Sequence, residues 1–232
     1  METSALACLG NIFVEPKKAL QDIRPHGSWA WYPLIITLVV TTAMSAWYFS
    51  TVDMGWLADQ TLASLASKYS SDQLDAMRSG FTRNRFLIGA IAGGTIVILV
   101  IYLLQALYFF LMSKISGDEE LSFGKWFSFT IWTSFPIILS SVAMAITYMF
   151  SNAQTSFYAL DVTSLNTLLF HLPMGHPLMS ITASVRLTTF WTLGLRILGF
   201  SLWTKKNLGK SAVIVLTPWV VIYALWIILK LA

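Results

Sequence analysis

Two arginines, Arg186 and Arg196, are the residues of this chain whose type and position could do chemistry. Both fall within 177–203, a stretch otherwise apolar enough to cross a membrane. A charge at membrane depth costs about 3 kcal/mol on insertion scales unless it snorkels, pairs or faces water. Each arginine lies about two helical turns from an end of the stretch, so snorkelling to lipid phosphate is one reading. The sharper reading is that one or both line an internal cavity and hold an anion, a lipid head group included. No Asp or Glu lies inside any other crossing, so an intramembrane ion pair is not expected.

Other chemistry is sparse. His171 and His176 are five residues apart and interrupted by Pro173, with no carboxylate or cysteine close by. That is not a metal-ligand pattern. Cys8 is the single cysteine, which excludes an intrachain disulfide and a cysteine cluster for zinc. Ala5-Leu6-Ala7-Cys8 has no basic leader and no apolar stretch before it, so it is not read as a cleavage site. The first crossing is then expected to be a signal-anchor. The chain carries no nucleophile elbow, phosphate-cradling glycine loop or zinc-protease helix. It also lacks the intramembrane carboxylates that transporters use as proton or cation relays. The expectation is therefore no enzyme, no cofactor, no catalytic residue and no bound metal.

Composition decides what positions the arginines. Charged residues are 11% and hydrophobic residues 56% of 232, against roughly 25% charged in a soluble domain. Apolar runs long enough to span a bilayer recur, so the expectation is an all-α polytopic bundle of five transmembrane helices with amphipathic interfacial helices. A single domain over 1–232 is expected, with crossings at about 31–49, 86–112, 126–150, 177–203 and 212–228. The net charge of +4 is read as topology and lipid contact, with no nucleic-acid partner.

Within that frame the hairpin from Phe86 to Phe150 is the clearest unit. Nothing between Phe86 and Met112 is charged, whereas Asp118, Glu119 and Glu120 in the turn demand water. Gly89 and Gly93 form a small-residue pattern for close helix contact, and Gln105 is expected to hydrogen-bond a neighbouring helix. Pro136 is expected to kink its crossing, with Ser134, Ser140 and Ser141 able to satisfy the freed carbonyls. Pro136 and Pro218 are the candidate hinges.

The remaining segments are polar or short. Residues 5–23 read as a solvated lead-in or a short surface helix beginning near Pro16, with Lys17 and Lys18 near head groups. The insertion 51–85 has helical periodicity. Asp53 is an N-cap for one helix, and Ser70 with Gln73 forms a capping box for a second. Residues 151–175 carry no Lys or Arg, and Leu165, Leu168 and Leu169 suggest a short interfacial helix. Lys205, Lys206 and Lys210 make a basic turn before the last crossing. The distribution of Lys and Arg among the loops favours a cytoplasmic N-terminus and an outside C-terminus.

The hairpin also carries a resemblance. Tyr108-Phe109-Phe110-Leu111, Gly117, Leu121-Ser122-Phe123 and Ser134-Phe135-Pro136 resemble the Ypt-interacting-protein (Yip) domain family, in particular its bacterial members. Gly117, Ser122, Phe123 and Pro136 form the signature. Phe13-Val14-Glu15-Pro16 with Ile23 and Trp29 is similar to the family's lead-in. Trp191, Gly194, Gly199 and Lys210-Ser211-Ala212 are similar to its closing segment. The resemblance implies a multi-pass protein of a bacterial inner membrane, acting as a scaffold, adaptor or lipid-organising protein. Its expected partners are membrane lipids, a protein at the cytoplasmic turns, and a second copy of itself. The long cytoplasmic tail of eukaryotic members is missing, so their GTPase contacts are not carried over. The competing class is a small transporter or channel for an anionic or lipid-like substrate that uses Arg186 and Arg196.

Overall fold

The computed structural model describes residues 4–115 and 121–231. Among these the secondary structure is helical, with turns and one isolated antiparallel bridge. The expected all-α class holds. In order the helices are α1 (Ala5–Val14), α2 (Pro16–Asp22), α3 (Trp31–Thr51), α4 (Met54–Leu65), α5 (Ser71–Arg78), α6 (Arg83–Ile88) and α7 (Gly94–Ile115). They continue with α8 (Phe123–Ser134), α9 (Ile137–Met149), α10 (Phe157–Leu160), α11 (Met179–Ser184), α12 (Leu187–Thr204) and α13 (Leu208–Leu231). Gly89–Gly93 and Asn166–Phe170 wind as π-helix.

Among the described residues, four helical stretches are long and apolar enough to cross a membrane: Gly27–Thr51, Arg83–Ile115, Phe123–Met149 and Leu208–Leu231. They coincide with four of the five expected crossings. The fifth, 177–203, is not one helix but α11 and α12, separated at Val185–Arg186. There the backbone pairs with another segment instead of continuing its own ladder. Leu165 N–H donates to Val185 O at 2.8 Å and Leu187 N–H to Thr163 O at 3.0 Å. Pro136 interrupts the third crossing between α8 and α9 as expected, because it has no N–H to offer.

The chain divides into two compact units, Met1–Val39 with Val97–Ile138 and Thr188–Leu225, and Val40–Ile96 with Leu139–Leu187 and Trp226–Ala232. The first unit is built around α8, where eight consecutive or near-consecutive residues from Trp126 to Ser134 are buried. Trp126 Nε1 donates to Ser113 Oγ at 3.0 Å, and Trp203 Nε1 donates to Leu20 O at 2.8 Å. Each tryptophan is thus buried with its polar end satisfied. Gly199 exists for this packing: a Cβ there would lie 2.5 Å from Phe129 Cε2.

The N-terminal segment belongs to this core. Cys8, Ile12, Ala19, Leu20 and Ile23 are fully buried in the cluster with Phe129, Phe200 and Trp203. The expected lead-in or surface helix is therefore corrected: two short helices dock their apolar faces on α8 and α12 neighbours. Burial also pushes the Cys8 thiol above its usual range. In α13, Pro218 sits inside a continuous helix and would orphan the carbonyl of Ile214. Tyr108 O–H on α7 donates to that carbonyl at 2.6 Å.

The second unit has a core of Met44, Tyr48, Val52, Leu57, Met144, Tyr148 and Leu160. Its helix ends are capped as the sequence predicts. Asp53 accepts from Trp56 N–H at 3.0 Å, and Ser70 and Gln73 form the reciprocal box. Arg83 Nη1 and Nη2 donate to Phe49 O and Val52 O at 2.8 and 3.1 Å, placing a cation at the C-terminus of α3. The expected packing role of Gly89 and Gly93 is not met within the described chain: a Cβ at either would meet nothing within 4 Å.

Candidate functional site

Arg196 lies on α12 in the first unit. Its Nη2 donates to Gln105 Oε1 at 2.6 Å and to Ser134 Oγ at 2.8 Å. A neutral amide and a hydroxyl thus hold the guanidinium. No carboxylate pairs with it among the described residues, and its Nε is buried without a hydrogen-bond partner. Gln105 does bond a neighbouring helix as expected. Ser134, expected to serve carbonyls freed by Pro136, instead receives the arginine.

Arg186 lies in the second unit and departs from expectation more sharply. It forms an ion pair and hydrogen bond through Nε to Asp161. An ion pair at this arginine was not expected, because the carboxylate comes from the segment 151–175 and not from another crossing. Asp161 is 4% exposed, and its other oxygen accepts from Thr163 N–H at 3.2 Å and Thr163 Oγ1 at 2.7 Å. Thr163 Oγ1 in turn pairs with Ser140 Oγ on α9 at 2.8 Å. The same segment supplies the backbone bridge between Ser164 and Arg186. Carboxylate, hydroxyls and bridge together close the gap between α11 and α12. Two of the backbone groups released by breaking the helix, Val185 O and Leu187 N–H, are satisfied there.

Asp161-Val162-Thr163 is an Asx-type turn pattern, and the Asp161 side chain does bond two residues on. The segment also holds buried Asn166, whose Oδ1 accepts from Thr182 Oγ1 at 2.9 Å and Leu172 N–H at 3.1 Å. A polar loop without Lys or Arg is in fact a structural insert.

The other sequence-derived positions fall as follows. Ser122 is the N-cap of α8 in extended backbone, and Phe123 begins the helix with its ring edge-on to Phe110 at 6.3 Å. Pro136 marks the break after α8, while Gly117 and the acidic residues Asp118–Glu120 lie outside the described residues. His171 caps the Asn166–Phe170 turn in left-handed backbone. Among the described residues, no three of His, Cys, Asp and Glu gather as a metal site.

Two further features were not foreseen. Lys205 ends α12 with φ 55°, and Ser201 Oγ holds the turn by donating to Lys206 O at 2.6 Å. Lys205, Lys206 and Lys210 thereby surround one shallow cleft. The second unit contains a largely apolar cavity of about 520 Å³, walled by aromatic rings and lined by Lys68, His176 and Lys230. Gly175 closes one side of it at φ +94°, its Cα turned so closely onto Ser64 that a Cβ would lie 3.2 Å from Ser64 O. That conformation suits glycine alone.

The fold and the buried polar contacts define an all-α integral membrane protein. The chain matches the Yip1 domain over residues 10–229 and belongs to that family. No curated protein and no solved structure matches it.

Proposed function

We propose that this protein is a non-enzymatic membrane scaffold or lipid-organising protein. Its turns around Lys114–Lys125 and Lys205–Lys210 meet a protein partner or anionic lipid on the cytoplasmic side of an inner membrane. The observation that carries this reading is the engagement of both arginines by other side chains of the protein. Arg186 is paired with Asp161, and Arg196 is held by Gln105 and Ser134. Neither lines the apolar cavity, and they belong to different units. A transporter using both as one anion site has no support from this arrangement. The ordered cleft of three lysines is, by contrast, suited to an anionic surface, where each cation near lipid contributes about 1 kcal/mol.

The test is reconstitution into vesicles of mixed neutral and anionic phospholipid. Lys205→Ala with Lys206→Ala and Lys210→Ala is expected to abolish crosslinking from this turn to a defined protein or to anionic lipid. No anion flux is expected. Flux that disappears in Arg186→Ala and Arg196→Ala would instead establish the transporter. A reporter fused after Ala232 that is active only in the cytoplasm would reverse the orientation.

A further inference from the structure

The cavity of the second unit is distinct from the Lys205–Lys210 turn and stands independently of the scaffold reading. Its volume of about 520 Å³ is in the range of small-molecule sites, about 300–1,000 Å³. The walls include Phe49, Phe86 and Phe157, which pack on one another: Phe49 stacks on Phe157 at 5.9 Å and meets Phe86 at 5.3 Å. Charge enters from one sign only. Lys68, Lys230 and His176 line the cavity, and no carboxylate does. Neither lysine has an ion-pair partner among the described residues. His176 Nδ1 accepts from Leu178 N–H at 3.2 Å, which leaves Nε2 as the protonated ring nitrogen and a donor.

The cavity's place in the fold identifies its occupant. Phe49 is in the last turn of α3, Phe86 is near the start of the Arg83–Ile115 span, and Lys230 is in the last turn of α13. Ends of membrane-spanning helices lie at the level of lipid head groups. An aromatic chamber with cations at that level is complementary to an apolar chain joined to a negative head group. We propose that this cavity binds one anionic phospholipid from the surrounding membrane. Its acyl chain would lie among Phe49, Phe86 and Phe157, with its phosphate at Lys68, Lys230 and His176.

The full chain, reconstituted in phosphatidylcholine vesicles doped with a phosphatidylglycerol that carries a photoreactive group in its acyl chain, tests this. Irradiation is expected to give adducts concentrated at Phe49, Phe86 and Phe157, suppressed by excess unlabelled phosphatidylglycerol and not by phosphatidylcholine. Lys68→Ala with Lys230→Ala, both exposed and therefore neutral to folding, is expected to lower the yield on the order of tenfold, the scale for two lysines at an anionic lipid. Ser180→Trp, which fills the cavity from its lining, is expected to lower it for either lipid. Adducts spread along the exposed faces of α7 and α13, an equal yield from a phosphatidylcholine probe, or an unchanged yield in the double lysine variant would each overturn the proposal. Loss of crosslinking at the Lys205–Lys210 turn would leave this outcome untouched, so the two readings fail separately.

Discussion

Arg186 and Arg196 are ten residues apart in one apolar stretch, yet the two regions around them solve the same physical problem in opposite ways. At Arg186 the helix breaks, a polar segment comes in, and the cation receives a carboxylate that is itself fully hydrogen-bonded. At Arg196 the helix continues, and the cation is accommodated by an amide and a hydroxyl with no compensating charge. The first arrangement is a joint that depends on its ion pair. The second holds a cation with neutral partners and no counter-charge. Losing one partner of a buried pair is costly because it leaves a charge uncompensated, whereas losing Arg196 leaves only neutral groups without their donor.

Substitutions can break or sharpen that contrast. The largest effect is expected from Asp161→Ala, which strands Arg186 and removes acceptors for Thr163. Thermal unfolding in mild detergent should show a loss of about 3 kcal/mol, allowing for the part of Arg186 that stays exposed. An unchanged melt would mean that the pair does not hold the break. Arg186→Met should cost less, about 2 kcal/mol, since Asp161 keeps Thr163 as donor. Arg196→Met leaves Gln105 and Ser134 without their donor but relieves a desolvated charge, and should cost about 1 kcal/mol. A loss as large as that of Asp161→Ala would erase the distinction between the two sites. Tyr108→Phe should cost about 1 kcal/mol, one hydrogen bond to an otherwise orphaned carbonyl.

Cys8 offers the smallest and most discriminating readout. Burial raises its thiol pKa, so less thiolate is present at a given pH than for a free cysteine, and alkylation at neutral pH should be slow. It should accelerate only when the first unit opens or when pH rises well above the usual thiol range. Asp161→Ala, a change in the second unit, is expected to leave that rate unchanged at temperatures below its melt. Faster alkylation there would show that damage at the joint spreads to the first core.

What was legible in the sequence was whatever depends on local pattern. Helix caps at Asp53 and Ser70, the break at Pro136 and four long apolar spans all follow from residues within a turn or two of the feature. What was not legible depends on distant partners. Cys8, Ile12, Leu20 and Ile23 look like a weakly amphipathic lead-in because ten residues cannot span a bilayer. Their burial requires the surfaces of Phe129 and Trp203, more than a hundred residues away. Asp161 stands in a polar segment, and nothing within that segment says that Arg186 will face it. Gly199 belongs to the family resemblance, but its reason, the edge of Phe129, is visible only in three dimensions.

The bond from Tyr108 to Ile214 has a mechanical consequence for α13. A proline within a spanning helix is usually thought of as a place that bends, but here the loose carbonyl beside it is fastened to another helix. In hydrocarbon no water can replace that fastening. Sliding α13 along α7 must therefore first unhook a hydroxyl. Tyr108 is thus the keeper of a latch set beside Pro218.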